Sequence, residues 1–494
     1  MSRNTHISQN HLAWGSSEST PGENTKTETP AETAGAVSKS DNIRRDRVAN
    51  WKSSGILTVV AGILSFILFG SGGALAYSTS GGVYVSDGSD SDTQAAIDAA
   101  PAGSTIQIPN GTYTWGIGID CTKAVKITGA SVGGVTINDN NTDGPLVYLA
   151  PVAGQSIELC NIIFQEGPAQ GSKGNQHMIT VGYAAGATPI LLHDCSFYSN
   201  GHILSQVLWS QNGGVIWNCT FDANFTSDES LQFKISSVDT WETPSTMGTA
   251  DTNGTANTYI ENCTFQHSYY ETIDLDDGSR TVFRYNTMNN TIVVSHGQDS
   301  SPYGNRHWEF YNNTFVWTIG SNNPNPGPTE SPLNLQGFLM LRGGTGVIAN
   351  NVLPDVTSQA WGTKGSINFA CFSITQYNCF TQYPIPRQVG QSWSGGSGSY
   401  SYPQDPADGS GYITDPVYIW GNTGGTYYNN PGTWDYSPDN CGNGLTSADV
   451  IQSGRDYMVN TVKPGYTPYP YPHPLRSGTS GVPAAPQNLR IASS

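Results

Sequence analysis

The sequence predicts an all-β chain wound as a parallel β-helix, and three observations predict it. A short pattern recurs, loosely, along the chain: an apolar pair, an Asn, a small residue, Thr, then a bulky apolar residue. Ile260-Glu261-Asn262-Cys263-Thr264-Phe265 is one copy and Phe283-Arg284-Tyr285-Asn286-Thr287-Met288 the next, with others closing at residues 164, 197, 221, 315 and 353. The shortest steps between copies are 23 to 27 residues and the longer ones fit that unit plus an insertion. A period of this size means stacked supersecondary units, none of which can bury its apolar face alone. Within each unit, short runs rich in Thr, Val, Ile, Tyr and Phe alternate apolar with polar residues, as half-buried strands do. No long segment after residue 80 carries a helical period. Asn suits the corners between strands because it tolerates the left-handed conformation, and stacked Asn amides can bond from coil to coil.

The elements follow in order. Residues 1–55 are polar, rich in Ser, Thr, Glu and Pro, and are expected to be a disordered tail. Residues 56–76 carry the apolar run ILTVVAGILSFILFG and end in Ala74-Leu75-Ala76, behind Arg44, Arg45, Arg47 and Lys52. That is a signal peptide or signal-anchor, and it places the rest of the chain in a secreted or cell-surface setting. Membrane contact is expected only through this segment, if uncleaved. Residues 77–355 form the β-helix, opened by a short capped helix near Asp92-Thr93 that covers the first coil's open end. Residues 356–476 are an irregular C-terminal part, whose Pro- and Tyr-rich end is expected to wrap back over the coils. Residues 321–337 read as a loop on the binding side, and 477–494 as a linker and fibronectin-III-like stub.

Charge excludes some partners. Charged residues make up only 12% of the chain and the net charge is −17. Residues 1–55 hold 7 Lys and Arg against 6 Asp and Glu, so the acidic excess lies in the body of the protein. Nucleic acid is not an expected partner. Of the eight cysteines, Cys195, Cys219 and Cys263 occupy one slot of the repeat and read as buried thiols filling a corner. Cys371 and Cys379 are the expected disulfide.

The run from Thr93 to Tyr113, TQAAIDAAPAGSTIQIPNGTY, resembles the first coil of pectate-lyase-like right-handed β-helix proteins. The resemblance implies a right-handed parallel β-helix that acts on polysaccharide, of the acidic, pectin type. The candidate site lies where strand ends superpose. Glu229–Ile235 falls over Glu271–Asp277, then over Asn290–His296, and Gln336–Arg342 follows. In that register Ile273 lies over Ile292, and Asp277, His296 and Arg342 form a column, flanked by Asp276 and Lys234. Asp274, Arg306 and His307 could also contact a sugar.

The order Asp276-Asp277, Ser295-His296-Gly297, Leu341-Arg342-Gly343 is similar to polygalacturonases. That similarity implies Asp276 or Asp277 as the acid protonating the leaving oxygen, a second carboxylate activating water, His296 as a positioning group and Arg342 as a substrate-carboxylate binder. The family's Asn-Thr-Asp is replaced by Gln232-Phe233-Lys234, and the Lys after its Arg is missing. A lyase reading stands beside it. Chondroitinase B and alginate lyases of this fold place a Lys and an Arg on neighbouring coils beside calcium ligands, and here His296, Lys234 or Arg342 would be the base. No cofactor is expected for hydrolysis; for a lyase, Glu271, Asp274 and Asp276 would hold Ca²⁺. Against both enzymes stands a non-catalytic glycan-binding or adhesive protein. Asp276-Asp277-Gly278 is also an ordinary turn sequence, and Trp209, Trp217, Trp308 and Trp317 could be either a sugar-stacking face or packing.

Overall fold

The computed structural model describes residues 77–478 except 168–176, 185, 187, 202, 225–228, 236–240, 242–249, 268–270, 298–303, 317–336, 355–366, 375–378, 394–409, 426–430 and 434–439. The polar tail, the apolar run at 56–76 and nearly all of the 321–337 loop and the 477–494 stub therefore lie outside the described residues.

The repeat winds into three long parallel sheets, which makes the chain a right-handed parallel β-helix. One turn serves for all. Strand Thr258–Glu261 lies in the first sheet, Thr264–Gln266 in the second and Ile273–Leu275 in the third, and Arg280–Arg284 returns to the first beside Thr258–Glu261. The first sheet has 13 strands and the other two have 10 each. The coils run on past residue 355: Ile367–Phe369, Val417–Trp420 and Tyr457–Val459 each extend a sheet. Helix Asp90–Ala99 opens the body, its N-cap Ser89 accepting from the Asp92 amide. Ala96 and Ile97 on its inner face join the core, so the helix covers the apolar end of the first coil.

The repeat positions explain the interior. The corner residues Asp194, Asn218, Asn262, Asn312 and Asn350 all have φ between 50° and 58°, the left-handed conformation that Asn and Asp adopt at least cost. The next position is filled in early coils by Cys195, Cys219 and Cys263, each 1% exposed. In later coils it is an asparagine ladder. Asn286 Nδ2 donates to Asn313 Oδ1 at 3.1 Å, Asn313 to Asn351 at 3.0 Å and Asn351 to Asn422 at 2.9 Å. Each of the last three oxygens also accepts the backbone amide of the previous ladder residue. One Asn thus satisfies corner amides that a buried turn would otherwise orphan. Beyond the corner, Phe164, Phe197, Phe221 and Phe265 stack at 5.3, 4.8 and 4.8 Å between ring centroids, each ring stabilising the stack by about 0.5–1.5 kcal/mol beyond its burial.

Two expectations are corrected. The disulfide joins Cys379 to Cys441, and Cys371 is a buried thiol outside it. Cys371 follows strand Ile367–Phe369 and belongs to the apolar core. The register of the third sheet also differs by one residue on one strand: Ile273 pairs with Val293, not Ile292. Ile292, Val293 and Val294 are all apolar and all buried, so hydrophobic pattern alone does not choose between them.

The C-terminal tract wraps back over the first sheet. Arg284 Nη1 and Nη2 donate to the carbonyls of Tyr469 and Pro470 at 2.7 and 2.6 Å. Tyr466 Oη donates to Glu309 at 2.6 Å, and Tyr471 stacks on Tyr285 at 3.8 Å. Beneath the strap, Glu261 takes Arg284 at 2.5 Å and Arg476 at 2.7 Å. With Glu261 and Arg284 wholly buried, this triad is a lock that requires all its members.

Candidate functional site

The third sheet carries the site because its strand ends bring charges onto successive rungs. Gln232 pairs with Asp274, Asp274 with Val294, and Val294 with Met340. Continuing that ladder by two residues sets Lys234, Asp276, His296 and Arg342 in one column. The backbone bonds follow the same step: the amides of Asp276, His296 and Arg342 donate to the carbonyls of Phe233, Leu275 and Ser295. Rungs are about 4.8 Å apart, so four ionisable side chains stand along a line as long as two or three sugar units. The one-residue register shift replaces Asp277 by Asp276 in this column. Asp277 sits in the turn that follows, with φ 45°, and its amide is bonded by Asp276 Oδ1 at 2.8 Å.

The side chains converge on His296. Its Nε2 lies 3.0 Å from Asp274 Oδ1 and 3.7 Å from Glu271 Oε2. Arg342 Nη2 lies 2.8 Å from Nδ1 and 2.6 Å from Nε2, while Arg342 Nε donates to the Ser295 carbonyl at 3.1 Å. The guanidinium also faces Phe372 at 5.0 Å, so it is held on two sides. Gln232 Nε2 bridges Glu229 at 3.4 Å and Asp274 at 3.3 Å. Behind the column the backbones pack without room for a side chain: a Cβ on Gly297 would lie 2.3 Å from the Arg342 carbonyl, and one on Gly343 would lie 2.7 Å from that of His296. The two glycines therefore let the rungs bearing His296 and Arg342 close on each other.

Electrostatics set the protonation states. Burial and the Arg342 charge lower the proton affinity of His296, but Asp274 and Asp276 outweigh them and hold it well above the ordinary imidazole value. The Arg342 contact pulls the other way, since a guanidinium donor needs a ring lone pair. The carboxylates decide the direction, upward, and Arg342 limits it. Burial would raise Asp274; His296, Gln232 and Arg342 reverse this and leave it lowered. Lys234 reaches solvent but is partly desolvated by the groups around it, which lowers its affinity; Asp276, Asp277, Asp274 and Glu229 raise it further, so it rests as an ammonium ion beside an acidic patch and must lose its proton before it can act as a base.

The other expected residues lie elsewhere. His307 opens strand His307–Tyr311 of the first sheet and faces Glu309 at 3.4 Å, fully buried. Arg306 precedes it and lies over the Trp241 ring at 5.2 Å. Trp209 and Trp308 are core residues, Trp217 lies under Arg476, and Trp317 is outside the described residues. Sequence reasoning placed Glu229 and Gln232 on the aligned strand but gave them no role in the site, and it missed the Trp241–Arg387 packing behind the glycines, which comes from irregular segments with no repeat signal.

The Ca²⁺ expectation meets a different donor set. The atoms that come within 4.8 Å of one another belong to Glu271, Asp274 and His296; Asp276 is not among them. Ca²⁺ takes six to eight oxygens, whereas this cluster offers two carboxylates and a nitrogen already engaged by Asp274 and Arg342. The three residues do not fit a calcium cage.

Three solved structures are similar to this chain at low values. An alginate lyase from Paenibacillus sp. str. FPU-7 matches at 13% identity over 71% of this chain and 99% of its own, with a TM-score of 0.40. The PL6 family polysaccharide lyase Pedsa3628 from Pseudopedobacter saltans matches at 15% identity over 71% and 80%, with a TM-score of 0.34. The Azotobacter vinelandii mannuronan C-5 epimerase AlgE4 A-module matches at 14% over 70% and 88%, with a TM-score of 0.32. No family model and no curated protein matches. At these values the likeness carries no argument, and the site must be read from its own residues.

Proposed function

We propose that the protein cleaves an acidic, uronate-containing polysaccharide by β-elimination at the Lys234–Asp276–His296–Arg342 edge. One observation carries this reading: two cations and an imidazole stand with a carboxylate on consecutive rungs of an otherwise acidic protein. β-Elimination needs the substrate carboxylate neutralised, a base for the proton on C5, and a proton for the departing O4. Arg342, fixed by Ser295 and Phe372, is placed to bind the uronate carboxylate and to stabilise the charge that builds on it as C5 loses its proton. His296 sits against the same guanidinium and keeps it oriented. Lys234, in its neutral form, takes the C5 proton; the C5–H pair becomes the C4=C5 double bond, the C4–O4 bond breaks, and the lysine returns the proton to O4. The charge of Asp276 favours the ammonium form of Lys234 between turnovers.

The acidic body of the chain limits the substrate to moderately charged uronates that the site can neutralise locally. The Cys379–Cys441 disulfide supports an extracytoplasmic setting.

A hydrolytic reading is favoured by one feature, the succession Asp276, His296, Arg342. It requires Asp276 to act as a general acid and a second carboxylate to activate water. Incubating the purified protein with pectin, alginate and glycosaminoglycans separates the readings. New reducing ends with new ultraviolet absorbance mean elimination. Reducing ends alone mean hydrolysis. Retardation by a glycan with no new ends means a binding module.

A further inference from the structure

A second cluster stands on the outer face of the first sheet, on a different sheet from the site above. Of the cysteines outside the disulfide among the described residues, Cys121, Cys195, Cys219, Cys263 and Cys371 belong to the apolar core; Cys160 does not. It shares the outer face of its strand with Glu158, two residues earlier, while Leu159 between them is core. Register then sets Cys160 beside His193 and Glu158 beside Lys126. His193 Nε2 lies 2.9 Å from Glu158 Oε1, and Cys160 Sγ lies 3.8 Å from the same oxygen. The thiol, imidazole and carboxylate donors all lie within 4.8 Å of one another.

The imidazole is fixed in a particular way. Its Nδ1 lies 2.6 Å from Asp194 Oδ2. Asp194 is itself held at its corner by Asn218 Nδ2 at 3.2 Å. The ring stacks on Trp217 at 4.0 Å with its plane 9° from parallel. A carboxylate on one ring nitrogen and an open donor set on the other is the arrangement that metal-binding histidines use.

We propose that Glu158, Cys160 and His193 form a site for a divalent transition metal of the zinc class, with Asp194 orienting the imidazole and water completing a tetrahedron. One sulfur, one nitrogen and one oxygen donor suit zinc and exclude Ca²⁺ and Mg²⁺, which want oxygen alone. The Nε2–Oε1 and Sγ–Oε1 separations are within a few tenths of an ångström of the edges of such a tetrahedron, given metal–ligand distances of about 2.0–2.3 Å. Lys126 Nζ stands 2.7 Å from Glu158 Oε1 with its side chain about a third exposed, so it covers the carboxylate and can swing into water. Binding releases the Cys160 thiol proton and the Nε2 proton of His193, so affinity rises with pH. The metal ties strands Glu158–Cys160 and Leu191–His193 across the rung.

Cobalt gives the test, because thiolate-bound Co²⁺ has a charge-transfer band and a tetrahedral d–d spectrum that no carboxylate–imidazole site produces. The full-length protein is stripped with chelator and titrated with Co²⁺, then with Zn²⁺. One equivalent of Co²⁺ is expected to raise the band and Zn²⁺ to abolish it. Cys160→Ser removes it, Asp194→Asn weakens binding about 10- to 100-fold, and Lys126→Met, which leaves every ligand in place, tightens it. A metal at Glu271, Asp274 and His296 gives no thiolate band, so the outcome is independent of the proposed catalytic reading. No band in the wild-type protein and in Lys126→Met, or a band that survives Cys160→Ser, overturns the proposal.

Discussion

At the scale of single residues, the site is a balance of opposed charges, and its behaviour follows from the neighbours. Lys234 is held charged by Asp276, Asp277, Asp274 and Glu229 against the effect of burial. A base must be neutral, so the working fraction of Lys234 grows with pH, and kcat/KM is expected to rise through the alkaline range. Asp276→Asn removes a negative neighbour and lowers the affinity of Lys234 for its proton. The rising limb of the pH–rate profile should then move to lower pH; a limb that stays in place means Lys234 is not the titrating base. Arg342→Ala should reduce kcat by about 10²–10³-fold, the loss typical of one preorganised donor at a developing charge. It also removes a cation that lowers His296, so the His296 titration followed by NMR should move further upward. A downward movement would mean that the carboxylates do not control the ring.

At the scale of elements, the corners and the strap carry the argument. Asn313 accepts from the Asn286 backbone and side chain and donates to Phe283 and Asn351. Asn313→Ala leaves these buried groups unpaired, at about 1–3 kcal/mol each, and should lower the thermal midpoint more than any exposed Asn→Ala change. The strap depends on Glu261. Burial raises its proton affinity, Arg284 and Arg476 outweigh that, and the result is lowered from the ordinary value of 4.5. A lowered carboxyl contributes stability that is present above its unfolded value and is lost as pH falls through the lower, folded one. The strap should therefore resist proteolysis at neutral pH and become cleavable only below about pH 4.5. Glu261→Gln should make it cleavable at neutral pH as well, and an unchanged digestion pattern in that variant would remove the triad from the account.

Much at this scale was legible. The corner Asn, the Cys slot and the stacked Phe positions could be named from spacing, because each recurs at a fixed place in several successive coils. The capping helix was legible from Asp92-Thr93 and the apolar residues after it, and the wrapping of the Pro- and Tyr-rich end from its composition. The column of the site was legible only to within one residue. Three successive buried apolar side chains, Ile292, Val293 and Val294, give no alternation to fix the register, and that slip exchanged Asp276 for Asp277. The Cys379–Cys441 pairing was not legible at all, because it joins two irregular segments 62 residues apart in sequence.

At the scale of the molecule, the solenoid separates its tasks by sheet. The first sheet is covered by the strap through most of its middle, with the Glu158–Cys160–His193 cluster left toward the N-terminal coils. The second sheet packs its aromatic stack inward. The third presents the charged column. Each coil contributes one side chain to that column, so the site is only as well placed as the stacking of four successive rungs, and the glycines at 297 and 343 together set the contact between two of them. This gives the asparagine ladder a functional consequence: it fixes the rise from coil to coil on which Asp276, His296 and Arg342 depend.

The most direct test of elimination at this edge is to follow the purified protein and its Lys234→Ala variant on uronate polysaccharides by ultraviolet absorbance and reducing-end assay together. The account predicts that the protein produces both signals in equal molar amounts and that the variant produces neither while remaining folded. Reducing ends without absorbance, or elimination undiminished in Lys234→Ala, would contradict it.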